Sequence, residues 1–269
     1  MTGIWGILNV TPDSFSDGGR FTEPAKALAQ AHLMRSQGAG VVDVGGESTR
    51  PGAVRVEPSV EQKRVLPIIE ALTDAGIPVS IDTLNADTAV AAVRAGARIV
   101  NDVSGGLADE RMLPAVAGLD ADIAIGHWRG PSDDMYAHAQ YARVAREVGA
   151  ELRERVQAAA SAGIAPSRVI VDPGIGFAKT AEQNWEVLRG LDEIAALGHR
   201  VLIGTSRKRL LADALHRVSG PDPLSERRRD LATAVTSALA ARAGAWAVRV
   251  HDVAATRDAL AIVGAWDGA

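Results

Sequence analysis

The sequence predicts an α/β protein, a single-domain (β/α)8 TIM barrel, and three observations carry that prediction. First, eight short apolar runs bounded by Gly, Asp or Asn recur along the chain, near residues 3–9, 40–44, 77–82, 97–101, 121–126, 168–172, 200–204 and 245–250. Second, the runs are continuous rather than alternating: Val79 and Ile81 lead to Asp82, and Val169, Ile170 and Val171 lead to Asp172. That pattern suits parallel strands covered on both faces. Third, the intervening segments space their apolar residues by three and four. Ala25, Leu28, Ala29, His32 and Leu33 form one expected stripe, and Val60, Val65, Ile68, Ile69 and Leu72 another, as in amphipathic helices. Eight such units fit the length of a barrel; an open doubly wound sheet is the alternative. The best internal break, Val218 to Leu224, leaves too little chain after it for a second core, so residues 1–269 are read as one domain.

Composition removes several function classes. The 269 residues include no cysteine, which excludes disulfides, thiolate metal sites and thiol nucleophiles. The start of the chain carries Asp13 and Asp17 and does not read as a secretory signal, and no long uncharged apolar stretch reads as a membrane span. A cytoplasmic protein is expected. The net charge of −4 gives no general attraction to nucleic acid or to an anionic membrane, so any bound anion needs a local site.

A barrel requires its reactive side chains where strands end. The first strand closes in Asn9-Val10-Thr11-Pro12-Asp13-Ser14-Phe15-Ser16-Asp17-Gly18-Gly19, the second in Asp43-Val44-Gly45-Gly46-Glu47-Ser48-Thr49-Arg50-Pro51-Gly52. Asp82-Thr83, Asn101 to Gly106, His127-Trp128, Asp172 to Phe177, Gly204 to Lys208 and Arg249 to Asp252 close the other six. Asp82, Asp172 and Asn101, facing inward, suit a polar heterocycle, because a carboxylate accepts two parallel N–H bonds. Lys208, Arg249 and His251 are donors or cations and suit a phosphate or diphosphate. Asn9 offers a hard oxygen suited to Mg2+ bridging to phosphate. The implied substrate is a heterocycle with a phosphorylated arm.

These segments, in this order, resemble the motifs of the dihydropteroate synthases, pterin-binding enzymes of folate synthesis, over nearly the whole chain. The resemblance implies condensation of 7,8-dihydropterin-6-ylmethyl diphosphate with p-aminobenzoate, giving 7,8-dihydropteroate and diphosphate by an SN1-like displacement with Mg2+ as cofactor. It implies a pterin site at Asp82, Asn101, Val103, Asp172, Phe177, Gly204 and Lys208, and a diphosphate site at Asn9, Arg249 and His251, with Asn9 on the metal. It implies a p-aminobenzoate site at Phe15, Thr49, Arg50, Pro51 and Ser206. Asp82, Lys208, Arg249 and His251 are the implied catalytic residues. Related enzymes are dimers, so a homodimer is expected; the first two loops are expected to order on binding both substrates. Two non-synthase readings compete: a pterin-binding homologue without catalysis, and a corrinoid or folate methyltransferase barrel, which needs neither the anion set nor the Thr49-Arg50-Pro51 loop.

Plainer roles stand beside these. Asp172-Pro173-Gly174 alone reads as a turn; Asp82 is a candidate cap for a helix starting near Ala86, and Asn101 or Asp102 for a turn. Lys208 reads equally as a solvated first-turn residue, and Glu226 to Asp230 as a solvated helix start. The five Trp and the Ala-rich Leu231–Ala245 stretch read as packing, the latter also as an oligomer face. His32, His138, His199 and His216 show no zinc spacing. Gly126 stands where the family usually carries Met, which leads to the expectation of a gap beside the ring unless Trp128 or a neighbour fills it. Leu231 stands where Thr is common, without a functional account.

Overall fold

The computed structural model describes residues 2–10, 24–47, 56–130 and 138–268. Among these, eight strands close in chain order: β1 (Gly3–Asn9), β2 (Val41–Gly45), β3 (Val79–Asp82), β4 (Ile99–Asp102), β5 (Asp122–Gly126), β6 (Val169–Asp172), β7 (Arg200–Ile203) and β8 (Ala247–Val250). All neighbours are parallel, and β8 returns to β1 with Gly3 opposite Ala247 and Trp5 opposite Arg249. The closed parallel barrel replaces the open-sheet alternative. The apolar runs become strands within one or two residues because each is β-branched and covered on both faces.

Helices wrap the outside: α1 (Pro24–Gln37), α2 (Pro58–Asp74), α3 (Ala86–Arg94), α4 (Met112–Ala117), α5 (Val144–Ser161), α6 (Ala181–Arg189), α7 (Leu191–Ala195), α8 (Arg209–Ser219), α9 (Glu226–Arg242) and α10 (Val253–Asp267). Several begin on side-chain caps. Thr180 and Gln183 form a reciprocal capping box on α6, and Asp252 accepts from the Ala255 amide at 2.9 Å to start α10. In α2, Val65, Ile68, Ile69 and Leu72 face the barrel as the spacing predicts, although Val60 is exposed.

The α1 stripe is corrected. Its buried residues are Ala27, Ala31 and Met34, while Leu33 is 48% exposed and His32 faces solvent. Small side chains bring this helix close to β1, so that a Cβ on Gly6 would stand 2.8 Å from the Met34 sulfur. The Trp reading is corrected as well: Trp5 is buried at 1%, but Trp266 is 80% exposed. Of the Glu226–Asp230 run, Glu226 to Arg228 are solvated, whereas Asp230 is buried and paired.

Candidate active site

The barrel interior has two levels, set by the two-residue period of strands. Trp5, Ile99, Ala124, Ile170, Leu202 and Ala247 form an apolar floor, with Val41 packed against it. Two residues further along the same strands stand Asp43, Asn101, Gly126, Asp172, Gly204 and Arg249. The side chains proposed for chemistry therefore share the inward face of the floor residues, one step nearer the carboxyl ends of the strands.

Arg249 is the centre of this upper level. Its Nε donates to Asp43 Oδ2 at 2.5 Å and its Nη2 to Asp82 Oδ2 at 2.6 Å. Asn101 Nδ2 also donates to Asp43 Oδ2, at 3.2 Å. Asp43 is fully buried, and its Oδ1 has no hydrogen-bond partner among the described residues. Burial pushes the Asp82 carboxyl up to about 7; Arg249 pulls it down, while Asp43, Glu61 and Asp102 push it up. Arg249 is raised above its usual range because Asp43 and Asp82 outweigh the cost of its burial. Asn9 Oδ1 and Asp82 Oδ2 lie 3.4 and 3.7 Å from the place a Cβ on Gly45 would occupy, so both edge the same space.

On the other side, Lys208 Nζ, Asp172 Oδ2 and Arg249 Cβ lie 3.8, 4.0 and 4.0 Å from the position of a Cβ on Gly204. The three side chains surround one point, and only a glycine there leaves it open. Asp172 Oδ1 accepts from the Gly174 amide at 2.7 Å. Burial raises the Asp172 carboxyl, against the pull of Lys208, that amide and Arg249. Burial lowers Lys208 to about 8, opposed by Asp172 and assisted by Arg249. Its ammonium bonds the Ile175 carbonyl and sits 5.0 Å over the Phe177 ring. Lys208 is the N-cap residue of α8, yet its head group turns inward rather than to solvent.

Ser206 and His251 meet directly: Ser206 Oγ lies 2.8 Å from His251 Nδ1 and accepts from the His251 amide at 3.0 Å. Between Ser206 and Lys208 the chain takes a left-handed turn at Arg207, φ +56. A non-glycine residue holds that conformation only when fixed from outside. Here a two-pronged pair joins Arg207 Nε and Nη2 to Asp230 at 2.7 and 2.9 Å, and the Arg207 amide donates to Thr233 Oγ1. The turn thus points its two neighbours at the mouth.

The structure brings together Asn9, Asp82, Asn101, Asp172, Phe177, Gly204, Ser206, Lys208, Arg249 and His251 at the strand ends. Phe15, Thr49, Arg50 and Pro51 lie outside the described residues. Asp82 caps no helix: the N-cap position of α3 is Asn85, and the Ala86 amide donates to Asp109 Oδ2. Asp102, by contrast, does hold a turn, accepting from the Ser104 and Gly106 amides. The expected gap at Gly126 is absent. A Cβ there would stand 2.4 Å from the Val103 carbonyl oxygen and 2.6 Å from the Val103 Cα; backbone already fills the space. His127 is buried with both ring nitrogens engaged, to Glu151 and Lys179. Asp43, named at the second strand end but given no role there, is brought into this cluster by its bonds to Arg249 and Asn101. Its signal was present: an aspartate between Val42 and Val44 inside an apolar run needs a partner as much as Arg249 does.

A closed parallel barrel whose mouth interleaves buried carboxylates with a guanidinium and an ammonium is the arrangement of an enzyme site for a polar, charged small molecule. A family model described as pterin binding enzyme matches residues 5–251. A dihydropteroate synthase of Mycobacterium leprae (strain TN) is 51% identical over 268 residues, covering 98% of this chain and 93% of the relative. Among solved structures, the Yersinia pestis dihydropteroate synthase with a sulfonamide drug complex superposes with a TM-score of 0.92 at 34% identity, covering 100% of this chain and 95% of the other. A Xanthomonas albilineans dihydropteroate synthase with 4-aminobenzoic acid gives a TM-score of 0.89 at 40% identity, covering 100% and 94%. The chain belongs to the dihydropteroate synthase family, and it is a transferase.

Proposed function

We propose that the mouth carries out the dihydropteroate synthase reaction with the following division of labour. The pterin lies over the floor with its adjacent N–H donors on Asp172, the amide of Asn101 and the carboxylates of Asp43 and Asp82 at its edge, and Phe177 and Val103 against its faces. Lys208 and Gly204 close the remaining side. The buried pairing of Asp43 and Asp82 with Arg249 supports this reading, because it fixes the acidic edge in place. The C–O bond between the methylene carbon and the diphosphate breaks, and the electron pair leaves with diphosphate toward Arg249, His251 and Asn9. The positive charge left on the methylene is shared with the pterin ring and stabilised by the Asp82 carboxylate in a site that admits little water. The arylamine nitrogen of p-aminobenzoate then forms the C–N bond and loses one proton to solvent or to the departing diphosphate. Phe15, Thr49, Arg50, Pro51 and Ser206 are assigned to that second substrate, with Arg50 and the Ser206 hydroxyl on its carboxylate.

Mg2+ fits the donors present. Among the described residues no group of three or more His, Asp and Glu is placed to hold a cation, so a protein-only site is not offered, but Asn9 Oδ1 edges the diphosphate side. A magnesium ion commonly takes one or two protein oxygens plus phosphate oxygens and waters. Asn9 would hold the ion, and the chemistry the ion would supply is neutralisation of charge on the leaving diphosphate.

A homodimer is proposed through α9 and α10. Leu231, Val235 and Leu239 recur every four residues on one exposed side of α9, at 64, 51 and 59% exposure, beside Ile262 and Trp266 of α10. A contiguous exposed apolar patch of this kind marks an interaction surface. A cytoplasmic location is proposed from the cysteine-free composition; among the described residues no helix is long and apolar enough to cross a membrane.

The convergence of Arg249, Lys208, Asp82 and Asp172 on one mouth carries the enzymatic reading. Its test is diphosphate release by purified protein given pterin diphosphate and p-aminobenzoate, with and without Mg2+. Release that needs both substrates is expected; pterin binding without release would leave only the non-catalytic homologue.

A further inference from the structure

The turn after β6 contains a buried lysine that the reaction above does not use. Lys179 is 1% exposed, and its ammonium meets three acceptors: His127 Nδ1 at 2.9 Å, the Gly174 carbonyl at 3.1 Å and the Phe177 carbonyl at 3.1 Å. In the ammonium form three donors are thus matched by three acceptors, although burial lowers this lysine to about 7, with Asp172 opposing. Because His127 accepts at Nδ1, its proton sits on Nε2, which donates to Glu151 Oε2 at 2.9 Å. Burial and the Lys179 charge push His127 down to about 4, which leaves the ring neutral at pH 7. Arg129 closes the far side of Glu151 through Nε at 3.0 Å and through Nη2, and stacks 3.7 Å over the Tyr141 ring.

The turn itself is backbone that does not hold by local preference. Gly174, Gly176 and Ala178 have φ values of +64, +86 and +48, and Ala178 bears the Cβ that disfavours this region. Such conformations persist when surrounding groups over-determine them. The two carbonyls bonded by Lys179 lie at either end of the stretch from Gly174 to Phe177. Asp172 and Phe177, assigned above to the pterin, flank the same stretch.

We propose that Lys179 is a positioning residue: it clamps the turn from Gly174 to Phe177 so that Asp172 and Phe177 form one fixed wall of the pterin site. The His127–Glu151–Arg129 chain holds the clamp from the side of α5. This inference rests on the dihydropteroate synthase reading. Removal of the lysine would leave two buried carbonyls and an imidazole nitrogen without this donor.

The test compares wild type, Lys179→Met, Ala178→Gly and the double variant, with KM measured for each substrate and pterin diphosphate binding measured by calorimetry. Lys179→Met is expected to raise the KM for pterin diphosphate about tenfold, the loss of one charge-assisted hydrogen bond, with the KM for p-aminobenzoate changed less than about twofold. Ala178→Gly in that background is expected to recover about threefold, because glycine accepts the left-handed turn without the clamp. A lysine that merely stabilises the fold would lower Tm without a selective pterin effect and without rescue by glycine. Should Lys179→Met not fold, Glu151→Gln loosens the chain from its half-exposed end, and a selective rise of about twofold in pterin KM is expected. Unchanged pterin KM in either folded variant, or equal rises for both substrates, overturns the clamp. A wild type that neither binds nor turns over pterin diphosphate rejects the enzymatic reading with it; a wild type that does both, matched by Lys179→Met, rejects the clamp alone.

Discussion

The floor and the mouth of the barrel are built by the same strands, on the same inward face, one strand period apart, yet they are opposite environments. At the floor, Leu202, Ile170 and Ala247 pack in one apolar cluster with Trp5, Ile99 and Ala124. At the mouth, Gly204, Asp172 and Arg249 continue those same strands; Asp43 and Asp82 are buried there, and the Arg249 side chain paired with them is 18% exposed. Burial stabilises the floor residues, on the order of 2 kcal/mol for a side chain such as leucine. It penalises the mouth charges, which endure it only by facing one another. The difference teaches where each kind of free energy resides: removal of floor atoms acts on stability alone, and removal of mouth charges acts on ligand, proton affinity and stability together.

Arg249→Met breaks that contrast most. It strands Asp43 and Asp82 without their cation, and loss of one partner from a buried ion pair costs about 3–5 kcal/mol. Denaturant unfolding is expected to show that loss, and diphosphate release is expected to fall to a small residue of the wild-type rate. Leu202→Ala sharpens the contrast from below: Leu202 is fully buried in the floor, and its truncation is expected to cost about 3 kcal/mol of stability, with both KM values unchanged at a temperature where the variant remains folded. Asp172→Asn is expected to weaken pterin diphosphate binding by about 1.5–3 kcal/mol, one buried charge-assisted hydrogen bond, read by calorimetry. Unchanged affinity would remove Asp172 from the pocket. Arg50→Ala is expected to raise the KM for p-aminobenzoate while binary pterin binding stays intact; a loss of pterin binding instead would give that residue a different role.

The barrel was legible because each strand is a short, fully covered apolar run ending in a polar residue, a signal that needs no partner to read. The positions Asp82, Asn101, Asp172, Lys208 and Arg249 were legible for the same reason. Asp43 was named in the segment closing the second strand but given no role, because nothing in the sequence shows that it meets Arg249, 206 residues further on. The α1 stripe misled because Ala27 and Ala31, not the larger Leu33, lie against the barrel: close packing selects small side chains, which hydropathy spacing ranks low. Lys179 carried no signal in the sequence. Its burial depends on carbonyls released by a left-handed backbone at Gly174 and Ala178, which spacing does not reveal. Gly126 misled because an absent side chain reads as a gap, and only three dimensions show the Val103 backbone filling it.

The smallest expected effect lies in the pH profile of kcat/KM for pterin diphosphate, and it separates mouth from floor without destroying either. The Asp82 carboxyl, held up at about 7 by burial, must be ionised to stabilise the developing cation, so the rate is expected to fall as pH drops through that value. The Lys208 ammonium, held down at about 8 by burial, is lost above it, which sets the alkaline limb. Asp172 pulls Lys208 upward; in Asp172→Asn that pull is gone, and the alkaline limb is expected to move to lower pH. Arg249 pulls both groups downward, so any residual activity of Arg249→Met is expected to show both limbs at higher pH. Leu202→Ala is expected to shift neither limb, because it alters packing two residues from the mouth without changing any charge that Asp82 or Lys208 senses. A shifted limb in that floor variant would show that the two levels are coupled through the strands rather than divided by them.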